Sequence, residues 1–174
     1  MLTEIAIYSR GGQGGVTAAR FIATAAMLNG LYAQAMPQFG PERRGATVNA
    51  YLRISDVPIR RRSPIRTPEI VAIFDKKIII NHGARIAIIN SKERIPLAEK
   101  TFFIDATSIA EKNGLFNAGW AILSAPMSGA IAKVLGIDIE TLEKAIIIEL
   151  DEKAEKSCKA AREAYEVVDW ISSP

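Results

Sequence analysis

The sequence predicts an α/β protein, a three-layer αβα sandwich around a mostly parallel, mixed sheet, in one domain spanning residues 1–174. Three observations carry this. Short apolar runs at residues 4–9, 70–74, 85–89 and 101–104 are nearly unbroken, as strands buried on both faces are. Amphipathic stretches lie between or after them, and strands alternating with helices form a parallel sheet covered by helices. The chain, with 174 residues, 49% hydrophobic and 24% charged, is long enough to bury a core without disulfide or structural metal, which excludes a disordered or fibrous protein.

The elements follow in order. Residues 4–9 stop at a glycine cluster, and an amphipathic stretch over 16–29 ends at Gly30, reading strand, tight loop, helix. Next come residues 32–36 and a turn-rich stretch over 37–45. Residues 47–54 then form a β-branched and aromatic strand, an antiparallel member of the sheet, closed by the turn Ser55-Asp56-Val57-Pro58. After the run at 101–104, Ser108 and Glu111 match a capping box that opens a short helix closed by Gly114. A further helix starts at Pro126, where the missing N–H costs nothing, and ends before Gly136, leaving 118–124 outside it. Ile146, Leu150, Ala154, Cys158, Ala161, Tyr165 and Val168 recur every three or four residues, which reads as one last helix with its stripe toward the core or a partner. Glu149 with Lys153, Glu152 with Lys156 and Glu155 with Lys159 are acid-before-base pairs on its outer faces.

The formal net charge is +3, and it is unevenly placed. Between Glu42 and Arg66 seven arginines (Arg43, Arg44, Arg53, Arg60, Arg61, Arg62, Arg66) face only Glu42 and Asp56, a local +5 that leaves −2 elsewhere. Such a segment suits nucleic acid, a polyanionic small molecule or an acidic protein surface, or is simply a solvated face. Aromatic residues are not interleaved with the arginines as a single-strand binder requires, so no nucleic-acid partner is expected. Cys158 is the single cysteine, too few for an internal disulfide, an iron–sulfur cluster or a structural zinc site. No apolar run reaches the roughly 20 residues that span a bilayer and no signal-peptide pattern opens the chain, so a cytoplasmic protein without a membrane partner is expected.

The sharpest feature is Gly11-Gly12-Gln13-Gly14-Gly15, directly between the first strand and the first helix. Glycines there let the backbone turn tightly and approach a ligand, and free N–H groups at the helix start favour an anion. A phosphate-bearing ligand fits; a tight turn without ligand is the plainer reading. The dinucleotide fingerprint fails, because Thr17 stands where a third glycine or alanine belongs and no acidic residue lies within 32–38 to hold a ribose. That disfavours a dehydrogenase. No Lys-Ser or Lys-Thr follows the glycines, which excludes a P-loop. Phe39-Gly40-Pro41-Glu42-Arg43-Arg44-Gly45 presents two planar arginine forks suited to phosphate, carboxylate or an interface, and it meets the glycine loop if the second strand lies beside the first. Catalytic constellations are missing. His82 reads as a turn or surface residue, Cys158 as an inert core thiol, and Asp75 and Asp105, at strand carboxyl ends, as turn or helix caps.

The sequence resembles the gamma subunit, or equivalent fused domain, of the 2-oxoacid:ferredoxin oxidoreductases. Arg10-Gly11-Gly12-Gln13-Gly14 with Val16-Thr17-Ala18-Ala19, then Ala33-Gln34-Ala35-Met36-Pro37, then Phe39-Gly40-Pro41-Glu42-Arg43-Arg44-Gly45-Ala46 stand in that family's order and spacing. Arg53-Ile54-Ser55-Asp56, Pro58-Ile59-Arg60, Asp105-Ala106-Thr107, Ala125-Pro126-Met127, Gly129-Ala130 and Val134-Leu135-Gly136 extend the likeness over nearly the whole chain. Ser124 in place of an asparagine and Asp75-Lys76-Lys77 after its strand are departures that bear on substrate.

The resemblance implies a non-catalytic subunit of a complex that converts a 2-oxoacid and coenzyme A to acyl-CoA and carbon dioxide while reducing ferredoxin. The form of residues 41–45 looks most like the pyruvate or branched-chain 2-oxoacid type, with pyruvate the first choice. It also implies alpha, beta and delta-type partner subunits, which carry thiamine pyrophosphate, magnesium and the iron–sulfur clusters. This chain binds none of these alone and has no catalytic or metal-ligating residue of its own. Gly11, Gly12, Gln13 and Gly14, with Arg43 and Arg44, are the expected residues for coenzyme A at a subunit interface. The alternative is a free-standing coenzyme A or nucleotide-binding module without oxidoreductase partners.

Overall fold

The structure is a computed structural model, and it describes residues 1–38, 45–78, 80 and 82–173. Seven strands form one mixed sheet in the order β2-β3-β1-β4-β5-β6-β9: β1 (Leu2–Arg10), β2 (Tyr32–Gln38), β3 (Thr47–Ser55), β4 (Ile70–Ile73), β5 (Ile86–Asn90), β6 (Lys100–Ile104) and β9 (Asp169–Ser172). The central β1, β4, β5 and β6 are mutually parallel. β3 is the expected antiparallel member, and β9 pairs antiparallel with β6 at the other edge. β1 therefore stands where the order reverses: the chain leaves it toward β3 and β2 on one side and β4 on the other.

This is the predicted α/β fold with its mostly parallel, mixed sheet between two outer layers. One core contains Ile5, Ile7, Leu52, Ala72 and Ile88 from the sheet and the buried faces of all five helices: α1 (Gly15–Leu28), α2 (Ala106–Lys112), α3 (Ser124–Leu135), α4 (Ile139–Leu150) and α5 (Ala154–Val167). The other packs Ala6, Val71, Ile73, Ala87 and Ile89 under Ile78, Ile80, Ala84, Ile95, Leu97 and Ala98, all from connecting segments. The outer layer on that side is thus irregular chain. Thr101 stitches it down, its hydroxyl accepting from the Leu97 and Ala98 N–H groups at 2.9 and 3.2 Å.

Four sequence expectations are corrected. The expected last helix is two, α4 and α5, broken at Asp151 (φ 53°) and a 3-10 turn over Asp151–Lys153. The chain doubles back there, so that Arg162 of α5 grips Glu143 of α4 with two bonds of 2.8 and 2.7 Å. Ile146, Ala154 and Ala161 are all buried in one core, so the apolar spacing survives the break. Of the three outer-face pairs, Lys159 meets Glu155 at 3.3 Å, whereas Glu149 turns to Arg20 and Thr24 of α1. α2 opens at Asp105, whose carboxylate accepts from the Ser108 N–H at 3.1 Å; the cap lies three residues before the expected serine. Finally, α3 starts at Ser124, two residues before Pro126, and the preceding stretch makes a small hairpin of β7 (Phe116–Asn117) and β8 (Trp120–Ala121).

Candidate functional site

The glycine loop sits at the carboxyl end of β1, at the point where strand order reverses, the usual ligand position in an open α/β sheet. Its shape follows from its glycines. Gly12 and Gly14 have φ of 91° and 88°, a region L side chains rarely adopt. Gly14 also passes so close to α3 that a Cβ there would stand 2.9 Å from that of Ser124, and a Cβ on Gly15 would collide with the Ser9 hydroxyl. By contrast, nothing lies within 4 Å of where a Gly12 Cβ would be: Gly12 faces open space.

Three neighbours fix the loop. The Gly11 N–H donates to the Ala46 carbonyl at 2.8 Å, extending the β1–β3 ladder, and the Leu123 N–H donates to the Gln13 carbonyl at 2.9 Å, tying in the start of α3. The Arg10 guanidinium spans the strand ends, with Nε 3.1 Å from Asp75 Oδ2 after β4 and one terminal NH2 3.3 Å from the Gly45 carbonyl. Gln13 is buried, and its Oε1 accepts from the Arg10 N–H at 2.7 Å while its own N–H donates to the Arg10 carbonyl at 3.0 Å. Gln13 thus braces the loop from inside.

Beside the loop lies a cleft of about 550 Å³, lined by Arg10, Gly11, Gly12, Gly14, Val16 and Thr17, with Val48 of β3 and Asn117 and Ile122 across from them. The first turn of α1 has no acidic residue, so its free N–H groups and positive dipole end meet the cleft unopposed. Gln13 lies instead on a second pocket, about 420 Å³, among Asp75, Asn90, Lys92, Asp105 and Thr107. There the polar groups hold the fold. Asn90 Nδ2 donates to the Phe74 carbonyl and to Thr107 Oγ1, each at 2.9 Å, Asp105 caps α2, and Asp75 Oδ1 accepts from the Lys77 N–H at 2.9 Å. Both aspartates serve as caps, as expected.

Of the predicted binding residues, Gly11, Gly12 and Gly14 come together on the cleft and Gln13 stands behind them. Arg43 and Arg44 lie outside the described residues, although Gly45 and Ala46 next to them are bonded to Gly11. That approach does not run through β2, because β3 lies between β2 and β1. Thr17, noted in the sequence only as a departure from the dinucleotide pattern, and Asn117 line the cleft without having been expected there. For Asn117 the only signal was Gly119 in a short stretch between Phe116 and Trp120; in the structure Ala118 and Gly119, with φ of 49° and 84°, make the two-residue turn of the hairpin. His82 Nδ1 accepts from the Ala84 N–H at 2.9 Å, and burial lowers its pKa below 6.5. Burial and Glu143 raise the Cys158 thiol's pKa, consistent with an inert thiol. Among the described residues, no group of three His, Cys, Asp or Glu is placed to hold a metal ion, and no helix is long and apolar enough to cross a membrane.

The glycine loop thus stands at the start of α1, at the end of the strand where the sheet order reverses. The chain belongs to the pyruvate ferredoxin/flavodoxin oxidoreductase family, whose model matches residues 4–167. It is 40% identical over 182 residues to the pyruvate/ketoisovalerate oxidoreductases common subunit gamma of Pyrococcus furiosus, covering 95% of this chain and 96% of that protein. It is also 40% identical to pyruvate synthase subunit PorC of Methanocaldococcus jannaschii, over 94% and 96% of the two chains. The crystal structure of pyruvate oxidoreductase subunit PORC from Thermotoga maritima superposes with a TM-score of 0.83 at 28% identity, over 98% and 99%.

Proposed function

We propose that the chain is the gamma subunit of a 2-oxoacid:ferredoxin oxidoreductase, with pyruvate its first-choice substrate, and that its glycine-loop cleft holds a phosphate-bearing part of coenzyme A. Full-length likeness to gamma and PorC subunits supports the first statement and does not favour a free-standing module. The observation that carries the second is the open cleft at the unopposed start of α1, where Gly12 and Gly14 let the backbone come close to an anion.

The reaction needs a carbanion-stabilising cofactor, which thiamine pyrophosphate supplies when bound, and an electron path to ferredoxin. One half-buried thiol, 3.7 Å from the Glu143 carbonyl, cannot ligate a cluster. Those centres and magnesium belong to alpha, beta and delta-type partners in this reading. The part of this chain is to bind and orient: backbone N–H groups around Gly12 and Gly14 receive the anion, Gln13 and Arg10 keep the loop in shape, and Arg43 or Arg44 adds charge to the ligand or the interface.

Thr17→Glu separates this role from a structural one. Thr17 is the third residue of α1, where a carboxylate favours the helix by about 0.3–1 kcal/mol while repelling an anion in the cleft. The assembled complex with this variant is expected to keep its thermal midpoint and its thiamine-dependent decarboxylation, with the apparent KM for coenzyme A raised on the order of tenfold. An unchanged KM would remove the cleft from the coenzyme A site.

A further inference from the structure

The chain over residues 45–66 is divided by the fold. β3 runs antiparallel to β1, placing Thr47 beside Arg10 and Ser55 beside Leu2. Gly45 and Ala46 therefore reach the glycine loop, whereas Arg60, Arg61, Arg62 and Arg66 follow from the opposite end of the strand. Glu4, to which this second group is tied, precedes Arg10 by six strand residues, about 20 Å of extended chain. A phosphate at the glycine loop is out of their reach.

The second group is held in one shape by a buried arginine. Arg53 is fully buried on β3. Its Nε donates to Glu4 Oε1 at 2.8 Å, one terminal NH2 donates to Gln34 Oε1 at 3.3 Å and to the Arg61 carbonyl at 3.2 Å, and the other donates to the Ser63 carbonyl. Arg61 itself reaches Glu4 at 3.5 Å, and Ile65 of the same segment is buried. Leaving a guanidinium dry is costly unless its whole fork is bonded, and here part of the fork is committed to two backbone carbonyls of a segment with no helix or strand. Arg60, Arg62 and Arg66 are then exposed, and among the described residues they have no ion-pair partner. Neither pocket described above is lined by them.

We infer that the strap over residues 60–66 is a docking surface for a carboxylate-rich face of another subunit of the oxidoreductase, an inference that rests on the gamma-subunit reading. Three cations on a pre-shaped segment that lines neither pocket described above suit an extended protein surface, because a fixed shape removes the ordering cost of docking. A small anion would need a cleft. Nucleic acid is disfavoured because residues 56–66 contain no aromatic side chain on which a base could stack.

The test reconstitutes the full chain with its partner subunits without oxygen and follows association from low to high salt. The wild-type chain is expected to associate more slowly as salt rises; the Arg60→Glu/Arg62→Glu variant is expected to be on the order of tenfold slower at low salt, with most of the salt dependence gone. Both chains should melt at the same temperature, since neither side chain makes an ion pair within the fold. Equal rates and equal salt slopes would overturn the strap and leave the gamma-subunit reading standing. A wild-type chain that associates with none of the partner subunits would remove both, and wild-type binding to a short single-stranded RNA that the variant loses would replace the protein partner with nucleic acid.

Discussion

Gln13 shows how a residue picked out by a motif can also brace that motif. Its place within the glycine loop marked it as a ligand contact, yet its Oε1 faces the Arg10 N–H and it is buried. Only the turn geometry, which residue type does not encode, separates this brace from Gly12 and Gly14 on the cleft. Arg53 is similar: it was one of seven arginines in a charged stretch, and its burial among Glu4 and two carbonyls depends on β3 lying beside β1. His82, expected in a turn or on the surface, is half-buried and makes a local bond with a titratable consequence. Protonating Nδ1 removes the acceptor for the Ala84 N–H, and Ala84 and Ile78 cover the second core. Burial holds the folded pKa below the ordinary 6.5, so the unfolded chain takes up this proton first. The contribution is complete above pH 6.5 and is lost as pH falls toward the lowered folded value. His82→Asn keeps an acceptor that does not titrate, and the difference in melting temperature between wild type and this variant is expected to widen as pH drops from 7 to 5. A constant difference would contradict this.

Buried strands and the first helix were legible because their patterns are local. Residues 4–9 became Leu2–Arg10 and residues 16–29 became Gly15–Leu28, with shifts of one or two residues at the ends. The break between α4 and α5 was not legible: no glycine or proline marks it, and the positive φ of Asp151 goes with a contact distant in sequence, Arg162 on Glu143. The two-residue hairpin and β9 were also missed, being too short for a period to show. Helix packing adds a residue whose role was equally hidden. Gly129 on α3 lies directly against the Ala161 backbone of α5, where a Cβ would overlap the carbonyl oxygen. Gly129→Ala is expected to destabilise the protein by about 1–3 kcal/mol through forced separation of the helices, measured as a lower urea midpoint with an unchanged slope. A midpoint equal to wild type would show that α3 and α5 can part freely.

At the scale of the molecule, the sheet sorts the chain's chemistry by end and by face. The helices occupy one side, irregular segments cover β4, β5 and β6 on the other, and the carboxyl end of β1 is left to the glycine loop and its cleft. β3 separates the strap of Arg60, Arg62 and Arg66 from Gly45 and Ala46 beside the glycine loop, a division that charge counting alone could not make. Family membership was readable from the order of the first motifs, whereas the lining of the cleft from β3 and the β7–β8 hairpin required the fold. The most direct measurement is amide hydrogen exchange across residues 11–17 in the assembled, oxygen-free complex, with and without saturating coenzyme A. The account predicts slower exchange at Gly12, Gly14 and Val16 on binding and little change at the strap over residues 60–66. Unchanged exchange through the glycine loop, with protection appearing only elsewhere in the complex, would contradict it.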